Sequence, residues 1–126
     1  MATIIRILNA TPHDIVVHLS DGETVSFPRS GSVVRLTELP CGSDLPGLTL
    51  PSSDAKIRVV PPPIYGGVAG LPRDRTSGLI VSAIAAEKMA ELGGFSDIYS
   101  PDMSSGGAVR DAGGRIIGTK ALIKWC

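Results

Sequence analysis

Leu79-Ile80-Val81-Ser82-Ala83-Ile84-Ala85-Ala86-Glu87-Lys88-Met89-Ala90-Glu91-Leu92-Gly93-Gly94 holds the one stretch of this chain that reads as a helix. Leu79 to Ser82 is a short buried strand. It runs directly into Ala83 to Leu92, built from Ala, Glu, Lys, Met and Leu, the strongest helix formers. Ile84, Lys88 and Glu91 fall on one side of that helix, and Ala85, Met89 and Leu92 on another. Gly93-Gly94 supplies the C-terminal cap. Every other apolar stretch is short, β-rich and bounded by turn residues. One short helix in a strand-rich chain predicts an α+β fold, mostly antiparallel.

Upstream, Thr3 to Leu8, Ile15 to Leu19, Glu23 to Phe27 and Ser32 to Leu36 read as strands. Turn signals separate them: Asn9 to Asp14 with Pro12, Ser20-Asp21-Gly22 as a type I′ hairpin, and Pro28 to Gly31. Four such segments at regular spacing predict an antiparallel meander. Glu38 to Ala55 reads as a loop with at most a short strand at Leu48 to Leu50. Lys56 to Val60 alternates like a strand and is stopped by Pro61-Pro62-Pro63. Tyr65 to Pro72 reads as a flexible surface loop. Downstream come a polar loop (Phe95 to Gly107), a strand at Ala108 to Arg110 and a turn at Asp111 to Gly114 capped by Asp111. A last long strand follows, Arg115 to Trp125, with Gly118 as a bulge or close-approach point. The whole, residues 1–126, is expected to be a single compact domain.

The composition excludes several classes. Twelve Lys and Arg balance twelve Asp and Glu, so the net charge is zero. A protein that coats duplex nucleic acid needs a positive excess to displace counterions. Fifteen Gly and ten Pro fit short strands joined by many turns. No apolar run approaches the roughly 18 residues of a membrane span. The N-terminus lacks the charged region, apolar core and cleavage site of a signal peptide. Cys41 and Cys126 read as free thiols in a reducing cytoplasm, the alternative being a tail-to-loop or intersubunit bridge.

The chemistry-bearing residues are few. His13 and His18 lack metal-ligand spacing, and no Cys-x-x-Cys pair accompanies them. No Gly-x-Ser-x-Gly elbow supports a nucleophilic triad. Tyr65-Gly66-Gly67-Val68-Ala69-Gly70 is not a phosphate-binding loop of the strand–helix type. It is either a mobile loop or one whose backbone amides approach a phosphate. Eight of the twelve basic residues are Arg, the side chain that grips phosphate bidentately. Arg29 sits in a turn, Arg73 and Arg75 flank a loop, and Arg110 follows Ser104-Ser105-Gly106-Gly107, whose hydroxyls and amides could complete a phosphate site. Arg35 and Arg58 lie within strands and read as solvent-facing. Tyr65 and Tyr99 could stack on a base, and Phe27 and Trp125 read as core or interface.

Four stretches carry a resemblance that spans most of the chain. They are Asn9-Ala10-Thr11-Pro12-His13-Asp14-Ile15, the Pro61 to Pro72 segment P-P-P-I-Y-G-G-V-A-G-L-P, the Leu79 to Ala86 strand-to-helix, and the Ser100 to Gly118 tail. Together they resemble the phage-encoded Thoeris anti-defence sponges. These proteins bind a cyclic ADP-ribose-type signal made by bacterial TIR enzymes and hold it without degrading it. The resemblance implies a β-rich homo-oligomer, a dimer able to assemble into a hexamer, that acts in the host cytoplasm. It implies a small cyclic nucleotide ligand, extending in some members to cyclic oligonucleotides. It also implies no cofactor, no catalysis, and no duplex nucleic acid or membrane partner. Arg110 would meet a phosphate, with Arg29 as a second candidate, while Tyr65, Gly66, Gly67, Ser104, Ser105 and Gly106 would close around the ligand. No aromatic matches a stacking position. Two rival readings remain: a phage assembly accessory protein with no small ligand, and a small hydrolase using His13 or His18.

Overall fold

The computed structural model describes residues 6–39, 42–72 and 78–126. Cys41, Arg73, Arg75 and the first residues of the Thr3–Leu8 segment lie outside them. The described chain is α+β, strand-rich and mostly antiparallel, with one helix. A core sheet has the order β1 (Ile7–Asn9), β8 (Gly78–Ile80), β9 (Ile98–Pro101), β12 (Leu122–Lys124). Its first three strands are parallel and β12 is antiparallel to β9. All of β8 is buried. That suits a central strand covered on both faces, whose sequence is continuously apolar. The helix α1 (Ala83–Leu92) follows β8 and buries Ala85, Ala86 and Met89 against Leu79, Val81 and Ile98. Ser82 caps it: the backbone is extended there, and Oγ accepts from the Ala85 N–H at 3.3 Å. Gly93, at φ 77°, ends it with an N–H to the Met89 carbonyl at 3.1 Å.

The second sheet has the order β10 (Ala108–Arg110), β11 (Ile116–Thr119), β2 (Ile15–His18), β3 (Thr24–Phe27). The outer pairs are antiparallel, and β11 meets β2 in parallel at Thr119 and Val17. Val109 faces Gly118 but Arg110 faces Ile116, so Ile117 is the extra residue of a bulge. Gly118 beside it has no room for a side chain. A Cβ there would lie 2.6 Å from the His18 ring and 2.7 Å from the Val16 carbonyl oxygen. The remaining strands form one interrupted hairpin. β4 (Arg35–Leu39) pairs with β7 (Ile64–Ala69), and β5 (Leu45–Thr49) pairs with β6 (Lys56–Val59) in the segment between them.

The helix, the C-terminal glycine cap, the Gly118 close approach and the Asp111 turn agree with the sequence reading. Asp111 Oδ1 accepts from the Gly113 and Arg115 N–H groups at 2.9 Å each. Five local expectations differ. The first four strands do not form one meander: β1 leaves to pair with β8, and the fourth strand, shifted to Arg35–Leu39, leaves to pair with β7. Only β2 and β3 stay together. Their turn is not type I′, because Gly22 has positive φ and Asp21 does not. The Leu19 N–H bonds to the Glu23 carbonyl, so the loop has three residues with glycine in the left-handed position. The Tyr65–Pro72 loop is largely a strand, and Gly66 is a bulge over which the Leu39 side chain lies, 2.8 Å from where a Cβ would stand. The two long loops, Glu38 to Ala55 and Phe95 to Gly107, contain β5 and β9. Finally, the long C-terminal strand breaks after Thr119. The buried Thr119 Oγ1 lies 2.7 and 2.9 Å from the Asp102 and Ala121 carbonyl oxygens, which share its single proton, at the point where β11 and β12 part to different sheets.

A cleft at the carboxyl ends of the parallel strands

β1, β8 and β9 run side by side and end at Asn9, Ile80 and Pro101. In sheets of this kind ligand crevices lie beyond the carboxyl ends of the strands. The loop after β1 is held by Asn9, a side chain only 2% exposed. Its Nδ2 donates to the His13 and Phe27 carbonyls, both at 2.7 Å. Its Oδ1 accepts from the Thr11 N–H at 3.0 Å and the Thr11 hydroxyl at 2.7 Å. The loop Ala10 to Asp14 is therefore fixed by a fully partnered buried amide, a strong constraint because losing any partner would leave a buried polar atom unpaired. The segment after β8 is the first turn of α1. The loop after β9 is folded by Asp102, whose Oδ1 accepts from the Ser104 N–H at 3.1 Å, and by the Ser104 carbonyl, which accepts from Gly107 and Ala108. Hydrogen bonds from Ser104, hydroxyl first and backbone N–H second, hold the Asp102 carboxyl below its ordinary pKa. Gly107 is required, since a Cβ would collide with Asp102.

The three segments and β11 enclose a cleft of about 600 Å³. Thr11 to Val16 form one wall and Ile116 to Thr119 another, with Ser82, Ala83, Pro101 and Met103 between them. A second groove of about 370 Å³ lies across the Thr11-Pro12 ridge, lined by Val33 to Leu36, Tyr65 and Ile84, and it shares Ser82 with the first. The surfaces of the 600 Å³ cleft are mostly aliphatic. Its polar groups are Thr11, His13, Asp14, Ser82 and Thr119, together with the first N–H groups of α1, which have no acceptor within the helix.

The residues singled out from the sequence are not brought into one pocket. Tyr65 lines the smaller groove, while Gly66 and Gly67 belong to the β4–β7 ladder. Arg29 stands at the edge of the larger cleft: its N–H donates to Asp14 Oδ1 at 2.9 Å, and its Nε lies 3.5 Å from the same oxygen. Arg110 is opposite the cleft-lining Ile116, but its guanidinium donates to the Gly114 carbonyl at 2.7 Å. Ser104, Ser105 and Gly106 are exposed in the loop that contributes Met103. Pro12, Ser82, Ala83, Met103 and Ile117 were not named as site residues. Yet they belong to the N-A-T-P-H-D, L-I-V-S-A and S-P-D-M-S-S-G-G-A-V-R-D-A-G-G-R-I-I-G stretches that carry the resemblance, and the fold assembles those stretches around one cleft. Among the described residues no group of three His, Cys, Asp or Glu could hold a metal ion, and no helix is long and apolar enough to cross a membrane. Comparison with protein-family models, curated proteins and solved structures finds no match.

Proposed function

We propose that this chain binds a small cyclic nucleotide signal, of the cyclic ADP-ribose type, in the 600 Å³ cleft and holds it without breaking a bond. The observation that carries this reading is the convergence of three sequence-distant loops on one crevice beyond the parallel strands. The volume suits a ligand of that size. The aliphatic walls suit ribose and base faces, and the N-terminus of α1 suits a phosphate. Arg29, bonded to the cleft-lining Asp14, and Arg110, paired with the cleft-lining Ile116, are the cations of this reading. Arg110 reaches the ligand by exchanging its Gly114 carbonyl for a phosphate oxygen, a stronger, charge-assisted partner. In this reading the protein is a phage anti-defence sponge, working as a homo-oligomer in the host cytoplasm.

Native mass spectrometry after incubation with a panel of cyclic ADP-ribose isomers and cyclic dinucleotides tests it. One panel member should be retained, and heating should release it with unchanged mass. A linear product would make the protein a hydrolase, and no adduct with any member would remove the reading. Two variants locate the site. Ala83→Glu puts a carboxylate at the first position of α1, where it favours the helix but repels a phosphate in the cleft. It should weaken binding by about 10-fold or more, at ~1.4 kcal/mol per decade. Arg110→Ala should weaken it by about 10- to 100-fold through loss of a charge-assisted hydrogen bond. Wild-type affinity in Ala83→Glu would place the ligand elsewhere.

A further inference from the structure

Ser20-Asp21-Gly22, the loop that joins β2 to β3, holds the sole Asp-Gly pair of the chain. Both residues of the pair are exposed. Gly22 stands at φ 89°, and apart from its chain neighbours nothing lies within 4 Å of where its Cβ would be. Asp21 Oδ1 accepts from the Glu23 N–H at 2.9 Å. The carboxyl is therefore folded back over the peptide between Asp21 and Gly22, on the side of the Gly22 nitrogen. That nitrogen carries no neighbouring side chain to obstruct an approach. Its N–H donates to the Leu19 carbonyl at 3.1 Å, an exposed hydrogen bond that water replaces at little net cost. No other described aspartate combines these features. Each of the others precedes a residue that carries a side chain. Asp54, exposed like Asp21, precedes Ala55, whose N–H donates to Ser53 Oγ at 3.1 Å. Asp111 is fixed by the Gly113 and Arg115 N–H groups. The chain's one asparagine, Asn9, is buried with its side-chain amide fully partnered.

We propose that Asp21 is a self-modification site, at which the folded chain converts aspartate to isoaspartate. This inference does not depend on what the cleft binds. The Gly22 nitrogen attacks Cγ of the protonated Asp21 carboxyl. A C–N bond forms, and the carboxyl hydroxyl leaves as water with the proton of that nitrogen. The product is a cyclic succinimide. Water then opens the ring at either of its carbonyls. Attack at Cγ restores aspartate. Attack at the main-chain carbonyl carbon of Asp21 gives isoaspartate, with the chain running through Cβ and Cγ and the α-carboxylate free. No oxidant or cofactor is consumed, and the net mass is unchanged. The main chain gains one carbon in a loop whose ends are held by the Leu19 N–H to Glu23 carbonyl bond at 2.8 Å and by the His18–Thr24 pair. That extra atom loosens the β2–β3 hairpin, whose register depends on the length of the loop. β2 supplies Ile15 and Val16 to the cleft wall, so aged copies of the chain lose order on that side.

Incubation of the purified full chain at neutral pH in heavy-oxygen water tests the site. Peptide mapping with electron-transfer fragmentation tells isoaspartate from aspartate. Solvent oxygen and isoaspartate should accumulate at Asp21 before any other aspartate. A methyltransferase specific for isoaspartate should then methylate the peptide that contains it. Asp21→Glu keeps the charge but would have to close a larger ring, so it should abolish the conversion. If that variant misfolds, the native and urea-unfolded wild type are compared instead. Solvent oxygen that enters another aspartate first, or Asp21 only in urea, overturns the proposal, as does no conversion at all. In the converted fraction the Leu19 amide should exchange faster with deuterium, while the amides of β8 keep their protection. Unchanged exchange at Leu19 would overturn the loosening of the hairpin.

Discussion

At single positions the close approaches carry the clearest consequences. Gly118 faces the His18 ring and the Val16 carbonyl, so Gly118→Ala should cost about 1–3 kcal/mol by overpacking, read from urea unfolding. Adding His18→Ala should restore only part of that, because the Val16 oxygen stays 2.7 Å from the added methyl. Asp102 should show a pH signature. Its folded pKa lies below the ordinary value. The stability it contributes is therefore fully present above the unfolded-chain value and is lost as pH falls through the folded one. The Ser104 amide resonance should titrate with it, and Asp102→Asn should flatten that titration. Gly118 and Asp111 were legible because a glycine within a strand and an Asp before Ala-Gly-Gly each have one local explanation. Gly66 and Gly67 were misread, since nothing local reveals that Leu39 will lie across Gly66. Asn9 was legible as a turn residue. Its role as a buried latch depends on the Phe27 carbonyl, eighteen positions away.

Among the elements, the span of α1 was legible because propensity and the Gly93-Gly94 terminator agree along one stretch, whereas Ser82, read as the end of the preceding strand, is its N-cap. Its packing was partly so: Ala85 and Met89 are buried, but Leu92, assigned to their side, is 48% exposed because the helix ends there. Ser82→Ala should cost about 1 kcal/mol through loss of the cap. Met89→Ala should cost about 2–5 kcal/mol, since Met89 is fully buried in the core cluster. Thermal melts of both variants check the order. The strands were mostly visible, but their partners were not. β1 pairs with β8 across some seventy intervening residues, and alternation says which face of a strand is apolar, never which strand lies beside it. β9 was hidden for a related reason. Ile98-Tyr99-Ser100-Pro101 looks polar by composition, yet Ser100 is buried because its hydroxyl accepts from Trp125 Nε1 at 2.8 Å.

For the molecule as a whole, the cleft was not legible as a place, although the stretches around it were. Its existence requires β1, β8 and β9 to be parallel neighbours, a property of topology. Binding there should be visible as stability. At a hundred times Kd, a ligand that binds only the folded chain contributes about 2.7 kcal/mol. The melting temperature should rise in proportion for the wild type and much less for Ala83→Glu at the same ligand concentration.

The order of the core sheet also sets a timetable for the newborn chain. Its strands are drawn from positions 7, 78, 98 and 122 onward, so the first must wait for some seventy further residues to be translated before its partner in the sheet exists. The last closes the sheet only when Lys124 has left the ribosome. At 5–20 residues per second, Ile7 and Leu8 spend on the order of several seconds as an unpaired edge. During that interval only nearby pairs such as β2–β3 and β5–β6 can form. The core sheet therefore closes long after its first strand has been made, and a nascent-chain holdase has its longest opportunity at β1.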